Sequence, residues 1–140
     1  MANPKRLGEL IQAASRRFAQ QGLARFAAHG LSPSRVRLLT LVSETPGMRM
    51  VEAAQALGVS QRAVTALVDA LESEGLARRR PDPSDRRALR LELTAAGREA
   101  LATIGDLQEQ VSSDIFAGLS SADQSELERL LVAFLEGESR

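Results

Sequence analysis

The sequence predicts a mainly α-helical fold with one small β-hairpin, built as a single domain. Three observations predict it. Apolar residues recur at helical spacing through six segments. The spacing changes to strict alternation once, in ALRLEL, where Leu89, Leu91 and Leu93 alternate with Arg90 and Glu92. A dense turn signal, PDPSD, stands just before that strand.

Each element follows from its residues. Pro4 can open the first helix, and Leu7, Leu10, Ile11, Ala14 and Phe18 share one face of it. That helix should end near His29, with Gly30 as its C-terminal cap. Ser32 and Pro33 suit the cap and first position of a second helix, whose stripe is Val36, Leu39 and Val42, widened by Leu38 and Leu41. Thr45, Pro46 and Gly47 end it. A short third helix should bury Val51, Ala54 and Leu57 and stop at Gly58. Ser60 then caps a fourth, with Val64, Leu67, Val68 and Leu71 on its apolar side and Gly75 at its end. Two helices joined by a short turn containing glycine form a helix-turn-helix.

Leu76 to Arg80 can pair with the alternating strand across PDPSD. Thr94 should cap a long helix over 94–119, with Leu101, Ile104, either Leu107 or Gln108, Val111 and Ile115 along one side. Ser121 and Gln124 have the spacing of a capping box before a last helix striped by Leu127, Leu130, Leu131 and Phe134. Phe18, Phe26, Phe116 and Phe134 fall on helical faces and read as core.

The bulk numbers narrow the function. A chain of 140 residues with 44% apolar content can build one core. It has no cysteine and a single histidine, which excludes disulfides, thiolate metal sites and a multi-histidine metal site. The opening MANPKRLGEL lacks the apolar centre of a signal peptide, and no apolar run reaches membrane-spanning length, so a cytoplasmic location is expected. Glu72 and Glu74 sit at a helix end with no nucleophile or metal cluster beside them, so no enzyme, cofactor or catalytic residue is expected.

The formal charge is zero, but it is divided unevenly. Residues 1–90 carry 15 Lys+Arg against 8 Asp+Glu, and residues 91–140 carry 3 against 10. The basic excess is densest in RRRPDPSDRRALRLEL, which holds six arginines in sixteen residues. Such arginines can simply protect an open sheet edge. Behind a helix-turn-helix they have a second use, because a helix-turn-helix followed by a hairpin is a winged helix and its partner is double-stranded DNA. The N-terminal turn of the second helix enters the major groove, and Ser60, Gln61, Arg62 and Thr65 occupy it. Arg62 can read guanine and Gln61 adenine with paired hydrogen bonds. At the hairpin tip, Arg86 and Arg87 suit the minor groove. Asp85 can fix one of the two guanidinium groups and leave the other to project; either arginine fits either role. Asp69 reads as structural, and His29 as a favourable charge at a helix end.

These residues resemble the MarR family of bacterial transcription regulators. The likeness runs through VEAAQALGVSQRAVTALVDALESEGLARRRPDPSDRRALRLELTAAG, Val51 to Gly97. Its specific pieces are Leu57-Gly58-Val59-Ser60, Leu71 with Gly75-Leu76, the wing RRRPDPSDRRA with Asp85-x-Arg87, and Leu93-Thr94 with Gly97. The resemblance implies a winged helix over about 33–97 within one domain, residues 1–140. It implies dimerisation helices over about 4–29 and 94–137, which would make the protein a homodimeric repressor of a palindromic operator. It also implies a possible small-molecule effector, without naming residues for it. Ala66 departs from the arginine that many relatives carry there, which leaves one expected phosphate or base contact without its residue. The lack of cysteine removes the oxidant-sensing mode, and the lack of Tyr and Trp leaves only Phe for an aromatic pocket. The competing reading is a winged helix whose basic face meets an acidic protein.

Overall fold

The computed structural model describes residues 1–137. The expected domain extends to residue 140, so its last three residues lie outside the described part. The elements in chain order are α1 (Pro4–Ala28), α2 (Pro33–Glu44), α3 (Met50–Leu57), α4 (Gln61–Ser73), β1 (Ala77–Pro81), β2 (Leu89–Leu93), α5 (Ala95–Phe116) and α6 (Ser121–Gly137). No helix among the described residues is long and apolar enough to cross a membrane.

Local chemistry sets the boundaries. Asn3 accepts the Lys5 N–H at 3.0 Å ahead of Pro4, and Ser32 accepts the Arg35 N–H ahead of Pro33. Ser60 accepts the Ala63 N–H at 3.1 Å. Gly58 ends α3 at φ +67°, a left-handed conformation that costs glycine nothing. The last helix differs from expectation. Its cap is Ser120, whose Oγ accepts the Asp123 N–H at 3.1 Å, rather than Ser121. Gln124 is spent elsewhere: its amide donates to the Phe116 carbonyl at the end of α5 and to the Leu119 carbonyl in the turn that follows.

The core lies between α2, α3, α4, the hairpin and the first half of α5, with Leu38, Leu39, Val64, Val68, Leu71 and Leu91 at its centre. The buried face of α3 is Ala53 and Ala54, while Val51 is exposed and Leu57 half-buried. Two adjacent alanines let this short helix approach α2 and α4 closely. On β2, Leu91 and Leu93 are buried, but Leu89 is exposed because the hairpin there has run past the body. Along α5 the choice falls on Leu107, which is buried with Ile104 and Val111, and Gln108 is exposed.

The β1–β2 register pairs Ala77 with Leu93 and Pro81 with Leu89. A third short segment joins this ribbon. The Leu91 N–H donates to the Met48 carbonyl at 2.8 Å, the Gly47 N–H donates to the Leu91 carbonyl at 3.1 Å, and Arg49 bridges to Arg90. The α2–α3 linker is thus stitched to the wing.

The start of α5 is welded to the end of α4. Thr94 Oγ1 donates to the Gly75 carbonyl at 2.5 Å and accepts the Gly97 N–H at 3.0 Å. Gly97 is buried so close to Leu76 that a Cβ there would collide with the Leu76 carbonyl.

The terminal helices behave differently. α1 packs along α5, and Arg25 bonds Gln110 and Asp114 across that contact, yet α1 has no buried residue; neither has α6. The expected core role of the phenylalanines holds in part for Phe26, which packs against the core, and fails for Phe18, Phe116 and Phe134. Phe18 and Phe134 are exposed, Phe26 and Phe116 half-buried, and Phe18 meets Phe116 with ring centroids 6.0 Å apart.

Candidate nucleic-acid interface

The candidate interface is the edge shared by the start of α4 and the wing. Gln61, Arg62 and Thr65 are exposed on the first turns of α4. Thr65 donates its hydroxyl to the Gln61 carbonyl at 2.8 Å, which leaves the oxygen able to accept. The Ser60 hydroxyl is engaged as the helix cap, although the residue itself is exposed. Gln61, Thr65, Asp85 and Arg87 line one cleft between helix and wing. Ser60, Arg62 and Arg86 lie outside that cleft.

The hairpin sorts its arginines by position. On the strands, Arg78 and Arg80 pair with Glu92, Arg79 with Asp69 and Glu72, and Arg90 with Asp82. At the tip, Arg86 and Arg87 are exposed and make no ion pair among the described residues. The acidic residues of the lobe therefore neutralise the strands and leave the tip charged. Arg62 on α4 is likewise exposed and outside these pairs.

Asp85 does not hold a guanidinium. Its carboxylate accepts the Arg87 backbone N–H at 3.0 Å, closing an Asx turn at the tip. The Ala88 N–H returns to the Asp85 carbonyl at 3.0 Å. In the hairpin loop, the carboxylate that holds guanidinium groups is Asp82, whose side chain is fully buried. Its Oδ1 accepts the Ser84 N–H and hydroxyl, both at 2.8 Å. Its Oδ2 accepts from Arg49 Nε at 3.0 Å and Arg90 Nε at 2.9 Å. The Ser84 backbone and hydroxyl donors, with Arg90 and Arg49 adding to them, hold this carboxyl well below the usual carboxylate range against the opposing effect of burial.

Sequence reasoning missed Arg49, Arg79 and Asp82. Arg49 and Arg79 line the same cleft as Gln61 and Arg87. The available signal was the aspartate flanked by two prolines at 81 and 83, in a stretch already crowded with arginine.

The profile of the MarR family matches residues 29–88, which run from the end of α1 to the wing. A solved structure of the transcriptional repressor CouR bound to a 23-mer DNA duplex is 32% identical. It matches across 96% of this chain and 92% of its own, with a TM-score of 0.72. The chain belongs to the MarR family. MarR itself from Escherichia coli, at 23% identity, shares the fold with a TM-score of 0.83 over 96% of this chain and 98% of that one. Transcriptional repressor MprA of Escherichia coli is 34% identical over 94 residues, 66% of this chain and 53% of MprA. The chain spans between 53% and 64% of the length of the curated relatives it matches. Within the family frame, the Asp85-x-Arg87 pair stands at the wing tip and Gly97 at the weld between α4 and α5.

Proposed function

We propose that the protein is a sequence-specific DNA-binding transcription regulator, a homodimeric repressor of a palindromic operator. The observation that carries this reading is the sorting of the hairpin arginines. Among the described residues Arg86 and Arg87 have no acidic partner at the tip, beside an exposed α4 N-terminus bearing Gln61, Arg62 and Thr65. Such a tip suits the minor groove, and such a helix start suits the major groove. Ser60 offers a further polar contact at that end, and Asp85 orients the wing by fixing the Arg87 backbone. The DNA duplex bound to CouR supports the choice of partner.

The dimer is supported by the unburied stripes of α1 and α6, where Leu7, Leu10, Leu130 and Leu135 remain exposed in one chain. An effector is supported by a cavity of about 410 Å³ between α1, α2 and α5, walled by Phe18, Leu23, Phe26, Val36 and Val111 with Arg37 at its edge. A ligand wedged there would reset the spacing of the two lobes, so that both half-sites could not be met together. It would lower operator affinity without producing monomers.

Fluorescence anisotropy tests the reading, using the gene's own upstream DNA and a scrambled duplex at physiological salt. The wild type should prefer its own upstream DNA by about a hundredfold or more. Arg86→Ala/Arg87→Ala should lose affinity, and the wild type should show a steep log–log salt dependence. Weak, equal binding to both duplexes that is unchanged in the double variant would favour an acidic protein partner for the basic face instead.

A further inference from the structure

The wing tip has to present its arginines in a fixed place, yet the hairpin loop from residue 82 to 88 projects beyond the hydrophobic core. Leu89, the last apolar residue of β2 on that side, is already exposed. Packing therefore ends before the tip begins. What begins there is Asp82, 2% exposed and the only buried charged or polar residue among those described. An isolated buried carboxylate is costly, and this one persists because every contact it makes is a donor.

Those donors come from three separate parts of the chain. Ser84 belongs to the tip, Arg90 to β2, and Arg49 to the linker between α2 and α3. Arg90 then reaches past Asp82 and donates Nη1 to the Gly47 carbonyl at 2.7 Å. The Asp82 N–H donates to the Ala88 carbonyl at 3.0 Å, so the same residue also closes the loop that carries Arg86 and Arg87. A single carboxylate thus ties the tip, the strand and the α2–α3 linker together.

We propose that Asp82 is the positioning residue of the wing: buried away from DNA, it locks the hairpin tip to the α2–α3 linker so that Arg87 and the start of α4 are held at one fixed spacing. The proposal rests on the DNA-binding reading above. Asp82 acts through the backbone it fixes. It also occupies Arg49, which lines the cleft between α4 and the wing and remains 35% exposed.

The test is a double-mutant cycle read by operator affinity, with amide hydrogen exchange on the DNA-free protein. Asp82→Asn should weaken operator binding about tenfold or more, the scale of a broken buried hydrogen-bonded pair. Combined with Arg87→Ala it should add little to the loss from Arg87→Ala alone, because both act on one contact. Exchange at Arg86, Arg87 and Ala88 should speed up while the amides of Val64 and Val68 in α4 keep their protection. Ser84→Ala, which removes one donor and leaves the charges in place, should repeat the pattern at smaller size and serves if Asp82→Asn does not fold. Losses that multiply in the double variant, or exchange that rises equally in α4, would overturn the proposal and make Asp82 a general stabiliser. Wild-type affinity in the Asp82 and Ser84 variants would overturn it too. If the wild type itself binds no operator, the DNA-binding reading fails, and the exchange measurement still decides whether Asp82 locks the wing.

Discussion

The winged lobe and the terminal helices are built to opposite rules. From α2 to the start of α5 the chain closes its own core, with Leu39 and Val64 at 0% exposure. α1 and α6 carry just as regular an apolar spacing, yet neither has a fully buried residue. Leu135 is 61% exposed. The difference shows that apolar periodicity states which face wants burial, and says nothing about which chain will bury it. The lobe completes its core within one chain. The terminal helices are half of a surface, and a second copy of the chain is the occupant we propose for it.

Breaking the second region should have the largest effect. Leu131→Asp with Leu135→Asp places two charges on the stripe of α6, and burying an unpaired charge costs several kcal/mol. Light scattering should show the wild type at twice the 15.1 kDa of one chain and the variant at about that single mass, with operator binding lost. Helical circular dichroism of the lobe should largely survive.

Breaking the first region should show in stability instead. Gly97→Ala forces a methyl group against the Leu76 carbonyl and should cost about 2–3 kcal/mol, a fall in Tm of roughly 10 °C. Leu39→Ala should cost a similar amount, on the order of 3 kcal/mol. Leu10→Ala, at an exposed position of α1, should change the stability of a monomeric variant by less than about 0.5 kcal/mol. Calorimetry on the three variants checks the contrast.

Within the lobe the contrast sharpens between tip and strand. Arg87→Ala should weaken operator binding by about 1–3 kcal/mol, and Arg80→Ala, already paired with Glu92, by less than about 0.5 kcal/mol. Titration of both variants against one duplex measures it.

The smallest effect at neutral pH concerns acid. Asp82 has its folded pKa lowered, so its contribution is complete above the unfolded carboxyl value near about 3.9 and is lost as pH falls toward the folded value. Tm measured from pH 7 down to about 2.5 should therefore drop more steeply for the wild type than for Asp82→Asn below about pH 4.

Much of this was legible in the sequence because local chemistry decided it. Ser32, Ser60 and Thr94 cap where caps were expected, and Gly58 and Gly75 take positive φ. The alternation in ALRLEL marked the second strand and PDPSD the turn before it, although β1 takes in Pro81 and the loop runs on to residue 88. What was not legible depended on long-range neighbours. Asp82 looked like one turn residue among several, since its partner Arg49 is 33 positions away. Asp85 looked like a guanidinium holder because arginines flank it, but the turn brings a backbone N–H to it first. In α3, spacing alone could not tell Val51 from Ala53, because the choice belongs to the helices packed against it. The last helix was expected to start from a Ser121 cap because Gln124 stands three residues on, but the Asp123 N–H meets the hydroxyl one position earlier, on Ser120.

Hydroxyl-radical footprinting of the wild type on its upstream DNA tests the central claim most directly, namely that two complete lobes are joined by terminal helices that neither chain can bury alone. The account predicts protection symmetric about a dyad, with two half-sites centred about 34 Å apart and a flanking minor-groove segment on each side that disappears with Arg87→Ala. A single protected segment without a dyad, unaffected by Arg87→Ala, would contradict it.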